Sequence, residues 1–277
     1  MQLGLFGINT SGSSDPATMV AIAQACEAAG FDSVWTGEHV VLPDPQVPPS
    51  PVAPEQPMLD PAVALTWVAA HTKTLLLGTG IIILPQRNPL VLAKEMASVD
   101  HLSNGRLLLG VGVGYLEPEF RALGISMEDR GGRTEEYIAA MRAIWQGGSY
   151  SGKYVAFDGV KANPRPVQPG GPPIVMAGHT AAAYRRAVTT SQGWYGFGLD
   201  VAATKACMEG LRKAADRYER PSELGPLHIS VTPRSRLDDA AVAGFEDLGV
   251  HRLIPLMGGD VGGVIAMVED LGKRYVR

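Results

Sequence analysis

The chain has almost none of the residues and spacings that announce metal, disulfide or nucleophile chemistry. Its two cysteines, Cys26 and Cys207, fall within helical patterns and read as reduced, packed thiols of a cytoplasmic protein, not as a disulfide framework. No His-x-His or Cys-x-x-Cys pair offers metal-ligand spacing. There is no Walker A loop and no G-x-S-x-G elbow, so a P-loop enzyme or a serine hydrolase has no support. No apolar run approaches the roughly 20 residues needed to cross a bilayer, and no charged leader precedes an apolar signal core. Positive charge is scarce as well. A formal net charge of −4 argues against nucleic acid or an acidic membrane as the main partner, because both require a basic face. Apolar residues are what the chain does have: 45% hydrophobic against 19% charged, enough for a sizeable core without bulk disorder.

The segment Leu75 to Glu117 organises the rest. Two apolar runs, Leu75 to Leu84 and Leu107 to Val113, are too continuous for a sheet with one wet face and read as parallel strands buried on both sides. Between them a helix begins at Asn88-Pro89, a cap followed by proline in the first turn, and stops at Asn104-Gly105. Leu92, Met96, Val99 and Leu102 form its expected apolar stripe. This is a βαβ unit, and the same alternation runs along the chain. Strands are expected at Gln2–Ile8, Phe31–Thr36, Pro173–Met176, Gly193–Gly198, Leu227–Thr232 and Val250–Pro255. Helices follow each, including a long one with Val201, Thr204, Met208, Leu211, Ala215 and Tyr218 at 3-4 spacing. Eight such repeats in 277 residues match the size of a (β/α)₈ barrel forming one domain over 1–277; a doubly wound open sheet is the competitor. Two excursions interrupt the rhythm. The proline-rich loop 42–57 suits a lid or substrate wall, and Tyr150 to Pro169 alternates like an inserted hairpin.

In a barrel of this kind the polar groups at the C-terminal strand ends are the informative ones. They are Asn9 and Ser11, Glu38 and His39, Gln86 and Arg87, Tyr115 and Glu117, Gly178 to Thr180, Asp200, and Gly258 to Asp260. Glu38-His39 stands out, since an imidazole can donate a hydrogen bond, shuttle a proton or hold a polar heterocycle. The plainer alternative is a histidine satisfied by its neighbours near the rim. Gly178-His179-Thr180 follows a strand and opens a helix, an arrangement that suits an anion, although a simple capped turn explains it equally. The run Gly110 to Gly114 lacks the full G-x-G-x-x-G and is not a dinucleotide fingerprint.

Several segments together resemble one family. GFDSVWTGEH from Gly30, LGTGIIILPQRNP from Leu77, LSNGRLLLGVGVGYLEPEF from Leu102, RGGRTEEY from Arg130 and PPIVMAGHTAAAYRRA from Pro172, with Gly193-Trp194 later, are similar to the luciferase-like flavin and deazaflavin barrel enzymes, and among them to the coenzyme F420-dependent oxidoreductases. The resemblance implies a ring system held across the barrel mouth against a bulge in the third strand, with a non-proline cis peptide matching Gly80–Ile81. It implies a ring-contacting, proton-transferring role for His39 with Glu38 as its electrostatic partner. It further implies a cofactor-phosphate site at Gly178, His179 and Thr180. Tyr115 stands where the family's sugar-phosphate dehydrogenases carry an acidic glutamate, so that substrate is not expected and the phenol becomes the possible acid. The leading expectation is hydride transfer between F420 and a small, largely apolar molecule. The rivals are an FMN-dependent monooxygenase fed by a partner flavin reductase, and a non-catalytic cofactor carrier. Dimers are common in the family, so a homodimer is expected, with no nucleic-acid or membrane partner.

Overall fold

Strand β1 (Gln2–Phe6) leads through helix α1 (Pro16–Ala28) to β2 (Ser33–Thr36) in the computed structural model, which describes residues 1–276. Helix α2 (Pro61–His71) is followed by β3 (Leu76–Thr79), β4 (Ile82–Ile83), α3 (Pro89–Leu102) and β5 (Leu107–Gly112). A short α4 (Glu117–Ala122) and α5 (Arg130–Gln146) precede an antiparallel hairpin of β6 (Tyr150–Ser151) and β7 (Ala156–Phe157), where the excursion was expected. The alternation then resumes with β8 (Ile174–Ala177), α6 (Ala181–Thr190), β9 (Gly193–Leu199) and α7 (Val201–Arg217). It ends with β10 (His228–Pro233), α8 (Asp239–Asp247), β11 (Arg252–Leu253) and α9 (Val261–Tyr275).

The large sheet runs β3-β2-β1-β11-β10-β9-β8-β5-β4, and a β3–β5 pairing closes it. All its pairings are parallel. β3 and β4 lean on the same neighbour, Leu77 opposite Leu107 and Ile82 opposite Val111, so they are two pieces of one stave. Eight staves closed on themselves make a (β/α)₈ barrel and exclude the open sheet.

The unbroken apolar runs have a simple cause. Leu107, Leu109 and Val111 pack outward in the large cluster shared with the helices, while Leu108 packs inward. The inward cluster is small: Trp35, Val175, Tyr195 and Ile254, flanked by Phe6, Ile81, Leu108 and Ala177. Trp35 stacks on Tyr195 at 5.6 Å between ring centroids, and its indole occupies the space that a side chain at Gly78 would need.

Seven helices begin with a side-chain cap, from Asp15, Asp60, Asn88, Thr180, Asp200, Asp238 and Asp260, each accepting from backbone N–H groups of its first turn. Helices α4 and α5 have no such cap. At the opposite end, two arginines gather the free carbonyls where helices stop. Arg106 donates to the carbonyls of Ala69, Thr72, Leu75 and Ser103. Arg220 donates to those of Ala187, Val188, Ser191, Leu224 and Gly225.

The N-terminal end of the barrel is sealed. Arg252 is 5% exposed; its Nε lies 2.8 Å from Asp32 Oδ2 and its guanidinium sits over the Trp35 ring at 5.7 Å. Ser33 Oγ donates to Asp32 at 2.6 Å and accepts from Trp35 Nε1 at 2.9 Å.

Four sequence expectations need correction. The run Leu75–Leu84 is not continuous: it breaks after Thr79, and the bond Gly80–Ile81 is cis. Leu102 is 66% exposed, because the stripe of α3 has rotated off the core by its last residue. In α7 the buried side is Thr204, Cys207, Leu211 and Ala214, so Met208, Ala215 and Tyr218 lie off its centre. The last strand retains only Arg252–Leu253 of the expected Val250–Pro255.

Candidate active site

The C-terminal end of the barrel is open where the other end is closed. Phe6, Ile81, Ala177 and Tyr195 lie inside it, and Tyr115, Phe197 and Leu256 stay 41–49% exposed at the strand exits. Phe197 contacts Phe6 edge-on, with centroids 5.1 Å apart. An aromatic and aliphatic surface left uncovered in a concave mouth suits a flat, partly apolar ring. The backbone comes close here as well. A Cβ on Gly80 would lie 2.7 Å from the Thr36 carbonyl oxygen and 3.1 Å from the Phe6 ring. Gly114 has φ +76°, and a Cβ there would meet Phe120 at 2.5 Å and Ile83 at 2.6 Å; only glycine lets β5 turn out to Tyr115.

His39 and Tyr115 are brought together, and Glu38 is not part of that pair. The Glu38 carboxylate turns away, accepting from the Ile83 N–H at 2.5 Å and binding Arg87, whose Nε lies at 3.0 Å. Burial raises the Glu38 pKa, against the pull of Arg87. Arg87 also reaches Asp60, the cap of α2. Glu38 is therefore an anchor between β2, β4 and α2. The reason is the period of an extended chain: successive residues at a strand exit point to opposite sides, so sequence neighbours are seldom partners.

The carboxylate that does meet His39 is Glu119, in the first turn of α4. Its Oε2 lies 3.0 Å from His39 Nδ1, and its Oε1 accepts from the Val40 N–H at 2.6 Å. Glu119 is fully buried. On the other side of the imidazole, Nε2 faces the Tyr115 hydroxyl at 3.4 Å, the rings set edge to face at 6.0 Å. Burial, and secondly the charge of Glu119, raise the Tyr115 pKa and keep it a phenol. Glu119 escaped the sequence reading because it is 80 residues from His39. The usable signal was weak: two acids flank Pro118, and the other, Glu117, merely pairs with exposed Arg121.

Farther round the rim, Thr180 caps α6 through the Ala183 N–H, His179 Nε2 accepts from the Phe197 N–H at 3.3 Å, and the Gly178 carbonyl accepts from Trp194 Nε1 at 2.9 Å. Burial lowers the His179 pKa, so this imidazole is a neutral brace for the turn. The uncapped start of α5 lies against the same helix, since a Cβ on Gly131 would reach Arg186 at 2.5 Å. There the Nε–H groups of Arg130 and Arg133 are buried without an acceptor. Unused buried donors of positive charge suit an anionic group.

Of the remaining polar candidates, Asn9 braces Gly37 and Leu59, and Asp200 and Asp260 are caps, while both polar atoms of the Gln86 side chain are buried without a partner. Loop 42–57 is stitched back at its end, where Ser11 N–H donates to the Pro57 carbonyl and His39 N–H to Met58 Sδ. A cavity of about 830 Å³ opens at the same end beside Arg234, Arg236, Leu256 and Met257, sharing Leu256 with the mouth; its walls do not include His39 or Tyr115. Among the described residues no His, Cys, Asp and Glu group is placed to hold a metal ion, and no helix is long and apolar enough to cross a membrane.

Comparison with known proteins agrees with this fold. An uncharacterised Mycobacterium tuberculosis protein is 32% identical over 187 residues, covering 64% of this chain and 66% of that protein. The oxygenase component of a flavin-dependent trigonelline monooxygenase from Acinetobacter baylyi is 30% identical over 173 residues, 61% of this chain and 45% of that protein. The chain thus matches about two thirds of the first relative and under half of the second. A solved F420-dependent secondary alcohol dehydrogenase, in complex with an F420-acetone adduct, shares the fold with a TM-score of 0.78 at 15% identity, over 97% of each chain. The family model for luciferase-like monooxygenases matches residues 1–244, and the chain belongs to that family; its fold neighbours include an F420-dependent enzyme and its sequence relatives a flavin-dependent oxygenase component.

Proposed function

We propose that this chain is an oxidoreductase that passes a hydride directly between coenzyme F420, an 8-hydroxy-5-deazaflavin, and a small, largely apolar organic substrate. The observation that carries the reading is the open apolar mouth with a proton-bearing group on its rim: Phe6, Ile81 and Phe197 below, His39 and Tyr115 to one side. When bound, the deazaflavin supplies a carbon that gives or accepts a hydride. The protein holds and orients the reactants and moves the accompanying proton. The close backbone at Gly80–Ile81 gives the ring a floor. Gly178, His179 and Thr180, with the unused donors of Arg130 and Arg133, would hold the anionic end. Glu38 acts here through Arg87 and the Ile83 amide as a support for the mouth.

The test is a side-by-side fluorescence titration of F420 and FMN. Micromolar binding of F420 is expected; FMN binding without F420 binding overturns the proposal. A second reading, an FMN-dependent monooxygenase served by a flavin reductase, draws on the 30% identity to a flavin-dependent oxygenase component. Oxygen uptake dependent on reduced FMN favours it. If His39→Ala leaves turnover unchanged while Gly178→Asp abolishes cofactor binding, catalysis by His39 is discredited; cofactor binding with no turnover of any tested substrate leaves a non-catalytic carrier. The protein is proposed to work in the cytoplasm as a homodimer, in keeping with the exposed apolar side chains of α2 and α3: Val63 at 65%, Val91 at 57% and Trp67 at 45%.

A further inference from the structure

We infer that Glu119 is a positioning residue that holds one proton of His39 on Nδ1, leaving Nε2 to exchange protons with the Tyr115 hydroxyl, so that the three side chains form a single relay ending at the barrel mouth. The reaction it serves rests on the proposed function; the arrangement of protons does not.

The geometry leaves little freedom. A carboxylate has no proton to give, so the imidazole nitrogen 3.0 Å from Glu119 Oε2 must carry the hydrogen of that contact. The other oxygen of Glu119, Oε1, accepts the Val40 N–H at 2.6 Å, so both oxygens of the carboxylate are engaged as acceptors. The carboxylate is fully buried, and its two protein donors, each on a different oxygen, fix its orientation. With Nδ1 committed, Nε2 is the nitrogen whose proton can come and go, and its neighbour is Tyr115 at 3.4 Å, a distance that leaves room to tighten when the mouth is filled. The His39 side chain is itself only 8% exposed, whereas Tyr115 is 49% exposed at the rim. The phenol is therefore the group that meets the substrate, and the imidazole stands behind it.

The step balances as follows. A carbonyl carbon gains a hydride from a reduced deazaflavin, which is thereby oxidised. The carbonyl oxygen forms a bond to the Tyr115 proton as the tyrosine O–H breaks. The phenolic oxygen takes the proton from Nε2 of the imidazolium, leaving a neutral ring that keeps Nδ1–H on Glu119. Solvent returns one proton to Nε2. Alcohol oxidation runs the same transfers in reverse.

Glu119→Gln is nearly isosteric and reverses the polarity of the contact. Its amide oxygen can keep the Val40 N–H while its NH₂ faces Nδ1, which must then become an acceptor. The experiment is ¹⁵N NMR of the His39 imidazole in the full chain without cofactor, above the pH at which the ring becomes neutral, with His39→Gln locating the signals. The wild type is expected as the Nδ1–H tautomer, E119Q as the Nε2–H tautomer, and Tyr115→Phe as Nδ1–H with a shifted Nε2 resonance only. A wild-type Nε2–H tautomer, or an unchanged tautomer in E119Q, overturns the inference; if E119Q does not fold, the wild-type and Y115F spectra decide alone. With F420 and a panel of secondary alcohols as the probe, kcat should fall about 10²-fold or more in both variants. F420 affinity should stay within about threefold, because neither change removes a group assigned to hold the anionic end. No F420 binding by the wild type removes the proposed function, absence of turnover excludes secondary alcohols as substrates, and either leaves the tautomer result standing.

Discussion

The two ends of the barrel are built by opposite rules. At the N-terminal end a buried charge, Arg252, has its partners: Asp32, Ser230 and the Trp35 face. At the C-terminal end, aromatic surface is uncovered, Arg130 and Arg133 have unused donors, and a histidine sits between a carboxylate and a phenol. A closed end whose polar groups are satisfied stabilises the barrel; an open end with unspent hydrogen-bonding capacity is where a ligand gains energy. The comparison predicts that substitutions at the two ends fail in different assays.

Arg252→Ala should show the largest effect, a loss of about 3 kcal/mol of stability, because it removes a buried guanidinium and leaves the part-buried Asp32 carboxylate and buried Ser230 without their partner. Denaturant unfolding measures it, and cofactor affinity per folded molecule should be unchanged. Equal loss of affinity and stability would break the division between the ends. Tyr115→Phe should lose turnover instead of stability: its stability should stay within about 0.5 kcal/mol of wild type, since the hydroxyl sits at an exposed rim. Asn88→Ala sharpens the contrast by showing that the upper end also has purely structural parts. Removing the cap that accepts from Leu90 and Val91 should cost about 1 kcal/mol in thermal unfolding, with turnover unaffected.

The smallest effect concerns acid. Burial, then the charges of Arg252 and His251, push the His228 pKa down from 6.5 to about 3. Between those values the unfolded chain binds more protons than the folded one, so this contribution is complete above pH 6.5 and is lost as pH falls toward 3. His228→Gln should flatten the fall of Tm across that window; an unchanged slope would mean that the lower end does not sense pH through His228.

Much of the scaffold was legible in the sequence because strand and helix periods are local. The caps at Asp15, Asn88 and Thr180 and the hairpin after α5 are all short-range patterns. The break in the third stave was invisible to periodicity, since Ile81, Ile82 and Ile83 read the same on either side of a kink; only the family resemblance pointed to Gly80–Ile81. The site was less legible, for a related reason. Glu38 looked like the partner of His39 because it is adjacent in the chain, whereas folding supplies Glu119 from α4, the helix that follows β5. Chemistry that depends on long-range closure of the barrel leaves no spacing rule behind.

Arg106 and Arg220 have a practical consequence. Each fastens several connections at the sealed end through one fork of donors, as a rivet joins plates, so reshaping the segments on the far side need not loosen the frame. Anyone seeking to redirect this barrel to new molecules should leave those two guanidinium groups alone and vary 40–57 and 234–237, where alterations reach the guest before they reach the chassis.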